Sequence, residues 1–344
     1  MENQMKTRLL HADREEDIQT AGRILKEGGL VAIPTETVYG LAANALDGTA
    51  VSHIFSAKGR PMDNPLIVHI SHLSQWGGLV REIPERAMKL AKQFWPGPMT
   101  IILPKSPVIP GEVTAGQQTV AVRFPENAVA RAVIDAAGVP LAAPSANLSG
   151  RPSPTEARHV MADLNGRIDA VLDGGPCRVG VESTVVTLAS DPPRLLRPGG
   201  ITLEQLQSVL GNVEMDSAVM HPLASGAKVL SPGMKYKHYS PKANVIILDG
   251  DLFSYRNYVN SHCEPGTVAL CYTGEDAGLN VPAVCYGSRE DSRELARNLF
   301  DALREVDRKN AKTVYARCPK PQGVGLAVYN RLIRAAGFEV LHLG

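Results

Sequence analysis

The sequence predicts an α/β protein with two sheet-bearing domains, and three observations carry that prediction. At 344 residues the chain is longer than a single hydrophobic core usually serves. Short apolar strand-like runs alternate with segments of helical periodicity along most of its length. Over residues 212–242 the periodicity fades and Gly, Pro, Ser and Lys accumulate, which is the composition of a linker.

The elements follow in order. Residues 16–27 place Ile18, Ala21, Ile24 and Leu25 at helical spacing and stop at Gly28-Gly29, a glycine helix end. A strand over 30–33 then meets Pro34. Further strands are predicted over 65–70, 99–103, 119–124, 140–143, 170–172 and 183–188, and helices over 50–57, 85–94, 128–137 and 155–164. A helix over 201–210 closes a first domain at residues 1–211. After the linker, 245–248, 267–270, 283–285 and 313–316 alternate with helical segments, notably 292–309, as expected of a small parallel-sheet domain at 243–344.

Bulk properties narrow the function. Lys plus Arg number 36 against 35 Asp plus Glu, so no global field draws nucleic acid or an anionic membrane, and any anion site must be local. The five cysteines, Cys177, Cys263, Cys271, Cys285 and Cys318, form no CxxC pair; they suit a reducing compartment and are expected to be buried thiols. The first 18 residues carry acids and no signal-peptide run, and no stretch is apolar enough to span a bilayer, so a cytoplasmic protein without membrane contact is expected. Histidines are scattered without HExxH or Cys/His ligand spacing, so no protein metal site is expected.

Five loop segments are too rich in Gly, Pro and polar groups to be explained by packing: Pro34-Thr-Glu-Thr-Val-Tyr-Gly40, Lys58-Gly-Arg-Pro-Met-Asp-Asn64, Trp95-Pro-Gly-Pro98, Pro144-Ser-Ala-Asn-Leu-Ser-Gly150 and Gly180-Val-Glu-Ser-Thr184. They cluster at strand ends, where open α/β sheets bind ligands. Lys58, Arg60, Arg123 and Arg197 lie in or beside these turns and strands; either they are unrelated surface charges, which spacing alone favours, or they converge, and then a mixture of Arg forks and a Lys point charge suits a ligand carrying both carboxylate and phosphate. Ser145, Asn147, Ser149 and Ser153 precede a helix and either offer hydroxyls and N–H groups to a phosphate or, for Ser153 and Thr155, merely cap that helix. His69, on an apolar strand without an obvious metal partner, reads as a satisfied core residue rather than a catalyst. There is no GxxxxGK[ST] loop, and Gly323-Val-Gly325 only begins a dinucleotide fingerprint; tight strand–helix packing explains it better.

Pro34 to Leu41, Lys58 to His69, Phe94 to Pro98, Ala143 to Asn147 and Gly180 to Val185 resemble, in order and spacing, the successive motifs of the YrdC family. The segment Ser231-Pro-Gly-Met-Lys-Tyr-Lys-His-Tyr239 and the domain after it resemble the long, two-domain form of the threonylcarbamoyl-AMP synthases. The resemblance implies a YrdC-like twisted open sheet with a concave basic cleft, followed by a small Rossmann-like domain. It also implies the activity: L-threonine, bicarbonate or CO2, and ATP give threonylcarbamoyladenylate and pyrophosphate, which feed N6-threonylcarbamoyladenosine formation in tRNAs reading codons that start with A. By resemblance, Thr37, His69, Arg123, the backbone at Ala143, and Ser183 hold threonine. Lys58, Arg60, Asn64, Thr119, Ser145, Asn147, Ser153, Arg197 and Tyr236 surround ATP, with Lys58 and Arg60 stabilising charge during transfer. Mg2+ arrives with ATP, and Tyr236 with its neighbours Lys235, Lys237 and His238 is expected to act as a lid. A weak tRNA contact and hand-off of product to a tRNA threonylcarbamoyl transferase are the expected partner interactions. The competing reading is a cleft that binds RNA directly, against which stand few aromatic platforms and a net charge near zero. Carbamoyl transfer in hydrogenase maturation uses a related domain, in much larger chains carrying segments not seen here.

Overall fold

The computed structural model describes residues 6–223 and 239–344. They fall into two compact units: the first holds most of residues 6–219, and the second holds 239–344 with the short segments 150–152 and 220–222.

In the first unit β1 (Arg8–His11), β2 (Val31–Ile33), β3 (Gly40–Asn44), β4 (Ile67–His69), β5 (Met99–Pro104), β6 (Thr119–Arg123), β7 (Leu141–Ala142), β8 (Ala170–Asp173), β9 (Thr184–Thr187), β10 (Arg194–Arg197) and β11 (Glu214–Met215) form a mixed sheet. Its order is β1-β8-β2-β3-β7-β4-β6-β5-β9-β10-β11. The predicted strands are all present; β2, β4, β6, β7 and β9 are shorter than predicted, and β5, β8 and the second unit's Asn244–Asp249, Thr267–Cys271 and Thr313–Arg317 run one or two residues longer. Five strands of the molecule were not predicted from sequence, and each has a physical reason. β1 has only four residues, β11 only two, and β3, Gly-Leu-Ala-Ala-Asn, lacks β-branched residues. β10 has its two leucines between arginines, and β16 (Val340–His342), in the second unit, is a three-residue strand. Pairing of β11 with β10 carries the first unit past residue 211 into the segment read as linker.

Helices cover both faces. Glu15–Lys26 buries Ile18, Ala21, Gly22 and Leu25, and Ala128–Ala137 buries Ala130, Val133, Ile134 and Ala137; these join β2 and β8 in one core. A larger core on Tyr39, Leu41, Ile54, Phe55, Leu90, Ile101 and Val122 fills the other side. Ile67, Ile102, Ala121, Val185 and Leu196, with Ala218, make a small third cluster. Residues of one strand alternate between faces, so His69, Thr119 and Arg123 share the face of Ile67 and Ala121. That face carries the site.

In the second unit β12 (Asn244–Asp249), β13 (Thr267–Cys271), β14 (Ala283–Cys285), β15 (Thr313–Arg317) and β16 are ordered β14-β13-β15-β12-β16, each neighbouring pair parallel. Helix Ser292–Arg308 buries Leu295, Leu299, Phe300, Leu303 and Val306 against it. Cys177 and Cys271 are buried as expected, Cys318 is half-buried, and Cys263 and Cys285 are exposed: Cys263 sits in a loop, and Cys285 ends the edge strand. Among the described residues no helix is long and apolar enough to cross a membrane.

Candidate functional site

The site is built where β4, β6, β5 and β9 lie side by side. His69 and Arg123, the last residues of β4 and β6, are register partners, and Thr100 of β5 is opposite Arg123 in turn. Arg123 is 4% exposed; Nη1 donates to Thr37 Oγ1 at 3.0 Å and Nη2 to Glu36 Oε1 at 2.7 Å. Its Nε and the second carboxylate oxygen of Glu36, both buried, have no partner among the described residues. Burial alone would raise the Glu36 pKa, but the charge and hydrogen bond of Arg123 outweigh it and hold the carboxyl below its ordinary range. Glu36 lies inside a loop quoted above, yet sequence reading assigned it nothing.

His69 is 3% exposed, and its Nδ1 is 3.1 Å from the carbonyl oxygen of Ile67. Burial first, and the Arg123 charge second, push its pKa down to about 3. The ring is therefore neutral at physiological pH, and a carbonyl opposite Nδ1 requires the proton there, which leaves Nε2 an acceptor. At Ala143 the backbone N–H is spent on the carbonyl of Ile67 at 3.0 Å, so the carbonyl is the part of that peptide left to meet a ligand.

Lys58 ends helix Gly48–Lys58, which Gly59 terminates in the left-handed conformation at φ 60°. Its ammonium, 3% exposed, donates to the carbonyls of Ser145 and Asn147 at 2.5 and 2.6 Å, while Ser145 Oγ donates to Asn147 Oδ1 at 2.6 Å. The Lys-x-Arg and Ser-x-Asn segments thus lock together. Burial, then the neighbouring Arg60, lowers the Lys58 pKa well below its ordinary value, and Asp163 and Glu182 oppose this. Arg60 Nη2 reaches the carbonyl of Asn64 at 3.4 Å. Asn64 itself is 1% exposed, and neither atom of its carboxamide has a partner among the described residues. A buried amide without a protein partner is a cost that a ligand contact would explain.

Ser183 Oγ is 2.8 Å from Thr100 Oγ1, and Arg197 donates to the Ser183 carbonyl at 3.0 Å and to its hydroxyl at 3.2 Å. Ser153 donates to the buried Glu182. The capping alternative for this stretch fails: helix Ala157–Leu164 begins after Glu156, and no side chain caps it. Thr119, half-buried, is four residues upstream of Arg123 on the same face of β6, roughly 13 Å away along the strand. Tyr236, Lys235, Lys237 and His238 lie outside the described residues, so the expected lid does too.

Comparison with known proteins bears directly on this arrangement. Residues 23–199 match a family model described as telomere recombination (Sua5, YciO, YrdC), and residues 201–337 match the threonylcarbamoyl-AMP synthase C-terminal domain. A threonylcarbamoyl-AMP synthase of Pyrococcus abyssi is 46% identical over 94% of this chain and 95% of its own. The chain belongs to the threonylcarbamoyl-AMP synthase family. Another family member, from Bacillus subtilis, is 45% identical over 98% of this chain and 100% of its own. Among solved structures, P. abyssi Sua5 complexed with L-threonine matches this threonylcarbamoyl-AMP synthase family member at a TM-score of 0.91 and 44% identity, covering 98% of this chain and 99% of that one. The YrdC-type sheet and the small parallel-sheet domain expected from the sequence are therefore both present.

Proposed function

We propose that the chain forms L-threonylcarbamoyladenylate and pyrophosphate from L-threonine, ATP and bicarbonate or CO2, for N6-threonylcarbamoyladenosine modification of tRNA. The observation that carries this reading is the buried Arg123, bonded to Thr37 and Glu36 but with Nε unpaired among the described residues, beside the neutral His69 and in the same unit as the Lys58 locus. A zwitterionic amino acid has the charges to engage both members of the Arg123–Glu36 pair. The relatives named threonylcarbamoyl-AMP synthases, and the similar structure holding L-threonine, support it.

In this reading Arg123 grips the threonine carboxylate bidentately. Thr37, Ser183, His69 and the Ala143 carbonyl orient the amine and hydroxyl. The amine adds to CO2 and releases its proton to solvent, and an oxygen of the resulting N-carboxylate attacks the α-phosphorus of ATP, breaking the bond to the β-phosphate oxygen and expelling pyrophosphate. No protein nucleophile is needed; what is needed is positive charge placed before the reaction starts. Lys58 and Arg60 supply it, with Asn64, Ser145, Asn147, Ser153 and Arg197 around the nucleotide and Thr119 farther along β6. Tyr236, outside the described residues, is assigned to the same set by the family resemblance alone.

Mg2+ fits as part of the MgATP substrate rather than as a resident ion. The buried carboxylates of the site, Glu36 and Glu182, already accept from Arg123 and Ser153, so phosphate oxygens and water are left as its principal ligands. Bound there, it would neutralise charge on the leaving pyrophosphate. The reading also includes a cytoplasmic location, a weak tRNA contact and delivery of the labile product to a tRNA threonylcarbamoyl transferase.

The test is pyrophosphate release from MgATP with threonine and bicarbonate, each omitted in turn. Release that requires both is the expected result. Release with neither, or none at all alongside salt-sensitive RNA binding, overturns the reading.

A further inference from the structure

We propose that the second unit has a binding site of its own, for a small phosphate-bearing ligand, in the crevice between the loops that follow β12 and β15. This site goes beyond the proposed reaction and shares no residue with it.

Topology makes the crevice. β12 and β15 are neighbours in the sheet, but the chain leaving β12 crosses to β13 on one side, whereas the chain leaving β15 crosses to β16 on the other. Right-handed crossovers in opposite directions send the following helices, Leu252–Ser261 and Gly325–Ala335, to opposite faces. The two loops therefore diverge at the carboxyl ends of adjacent parallel strands, which is where doubly wound sheets hold their ligands.

The opening is real in this chain. A cavity of about 250 Å³ lies there, walled by Asp249 at the end of β12 and Gly250 after it, Arg317 at the end of β15 and Lys320 beyond it, Arg289, and His342 at the end of β16. Its walls are cross-linked by hydrogen bonds. Arg317 donates to the carbonyls of Gly250 and Asp251 at 2.8 and 3.3 Å, tying one loop to the other, and Glu275 takes its remaining side at 2.9 and 3.3 Å. The loop after β15 is also constrained, because a Cβ at Gly325 would lie 2.3 Å from the carbonyl oxygen of Lys320. The partial glycine pattern in the sequence thus shapes the rim of this cavity.

Chemistry selects the ligand class. Arg317 is saturated and acts as scaffold, and Asp249 is occupied by His342 at 3.0 Å. That leaves two cations able to meet a ligand. Arg289 is exposed and makes no hydrogen bond or ion pair among the described residues, and Lys320 has only an exposed partner, Glu290, at 3.9 Å. An exposed pair of that length contributes little and yields easily to a bound anion. The volume is below that of most drug-sized pockets and suits a ligand no larger than a mononucleotide or sugar phosphate.

The test uses the full-length protein and hydrogen-exchange mass spectrometry, which locates binding by peptide. Inorganic phosphate and AMP are titrated separately into wild type, Arg289→Glu/Lys320→Glu, and Lys58→Ala. Both reversed residues are exposed, so the fold should survive; an unchanged exchange pattern without ligand checks this. Saturable protection of peptides covering 249–252 and 317–325 is expected, weakened at least tenfold by the double reversal and retained in Lys58→Ala. Protection by phosphate alone identifies the phosphate group as sufficient; protection by AMP alone adds the nucleoside to the ligand. Protection confined to the first unit, absent altogether, indifferent to the double reversal, or lost in Lys58→Ala overturns the proposal. Loss of pyrophosphate release leaves this test unaffected, so the two readings fail separately.

Discussion

The two units each bury an Arg–Glu pair at the carboxyl end of a strand, and the pairs differ in one respect. Arg317, at the end of β15, is 2% exposed, meets Glu275 and two backbone carbonyls, and has its guanidinium 5.1 Å from the ring centre of Tyr255 and 5.6 Å from that of Tyr272. Arg123, at the end of β6, is buried to the same degree, yet its Nε and the Oε2 of Glu36 are unpaired among the described residues. A complete set of partners marks a structural ion pair, and an incomplete one marks a pair built for something that arrives later. The residue types and burial are alike; only the count of satisfied atoms separates them.

Substitutions can break or sharpen this contrast. The largest effect should come from Arg317→Ala, which strands the Glu275 carboxylate in the interior and should lower stability by roughly 3–5 kcal/mol in urea unfolding. Replacing both partners, Arg317→Met with Glu275→Met, should recover most of that loss. The equivalent double change at Arg123 and Glu36 should likewise spare stability but abolish pyrophosphate release. Equal survival of activity in both doubles would erase the distinction between the pairs.

Next in size, Lys58→Ala should reduce turnover about 100- to 1,000-fold, the usual range for losing one preorganised donor to transition-state charge. Wild-type turnover in that variant would remove Lys58 from the chemistry.

A smaller effect concerns pH. His69 titrates at about 3 when folded, against its ordinary 6.5, so between these values the unfolded chain holds a proton that the folded chain lacks. Stability attributable to this group therefore falls as pH drops from 6.5 towards 3, by about 2 kcal/mol on going from pH 7 to pH 5. Unfolding curves at the two pH values should show this, and His69→Gln should reduce the difference. A variant with an unaltered pH slope would mean that His69 is not buried neutral.

The smallest effect has the opposite sign. Asn64→Leu removes two unpaired buried polar atoms and should stabilise the ligand-free protein by about 1 kcal/mol while weakening ATP binding measured by calorimetry. Destabilisation instead would show that Asn64 serves the fold.

What the sequence made legible follows from what periodicity and turn chemistry record. The helices at 85–94 and 128–137 match their predicted bounds because each has a clear apolar stripe and a clear stop. The loops holding Thr37, Lys58, Ser145 and Ser183 stand out because their Gly, Pro and polar residues interrupt the apolar pattern at those strand ends. Glu36 and Thr100 were missed: one is an acid in a loop already noted, the other a threonine in a β-branched strand. Only their partners, Arg123 and Ser183, at 2.7 and 2.8 Å, reveal them. Such pairing spans 87 and 83 residues of chain, and no local pattern encodes it.

The edge strand β1 has a consequence for synthesis. Its register partners are Ala170 to Asp173 of β8, so this strand must wait about 160 residues for a neighbour. At roughly 5–20 residues per second that is on the order of 10–30 s. Throughout that interval the nascent chain presents an unpaired strand to the ribosome surface and to folding helpers, and the sheet of the first unit closes only after most of that unit has left the exit tunnel.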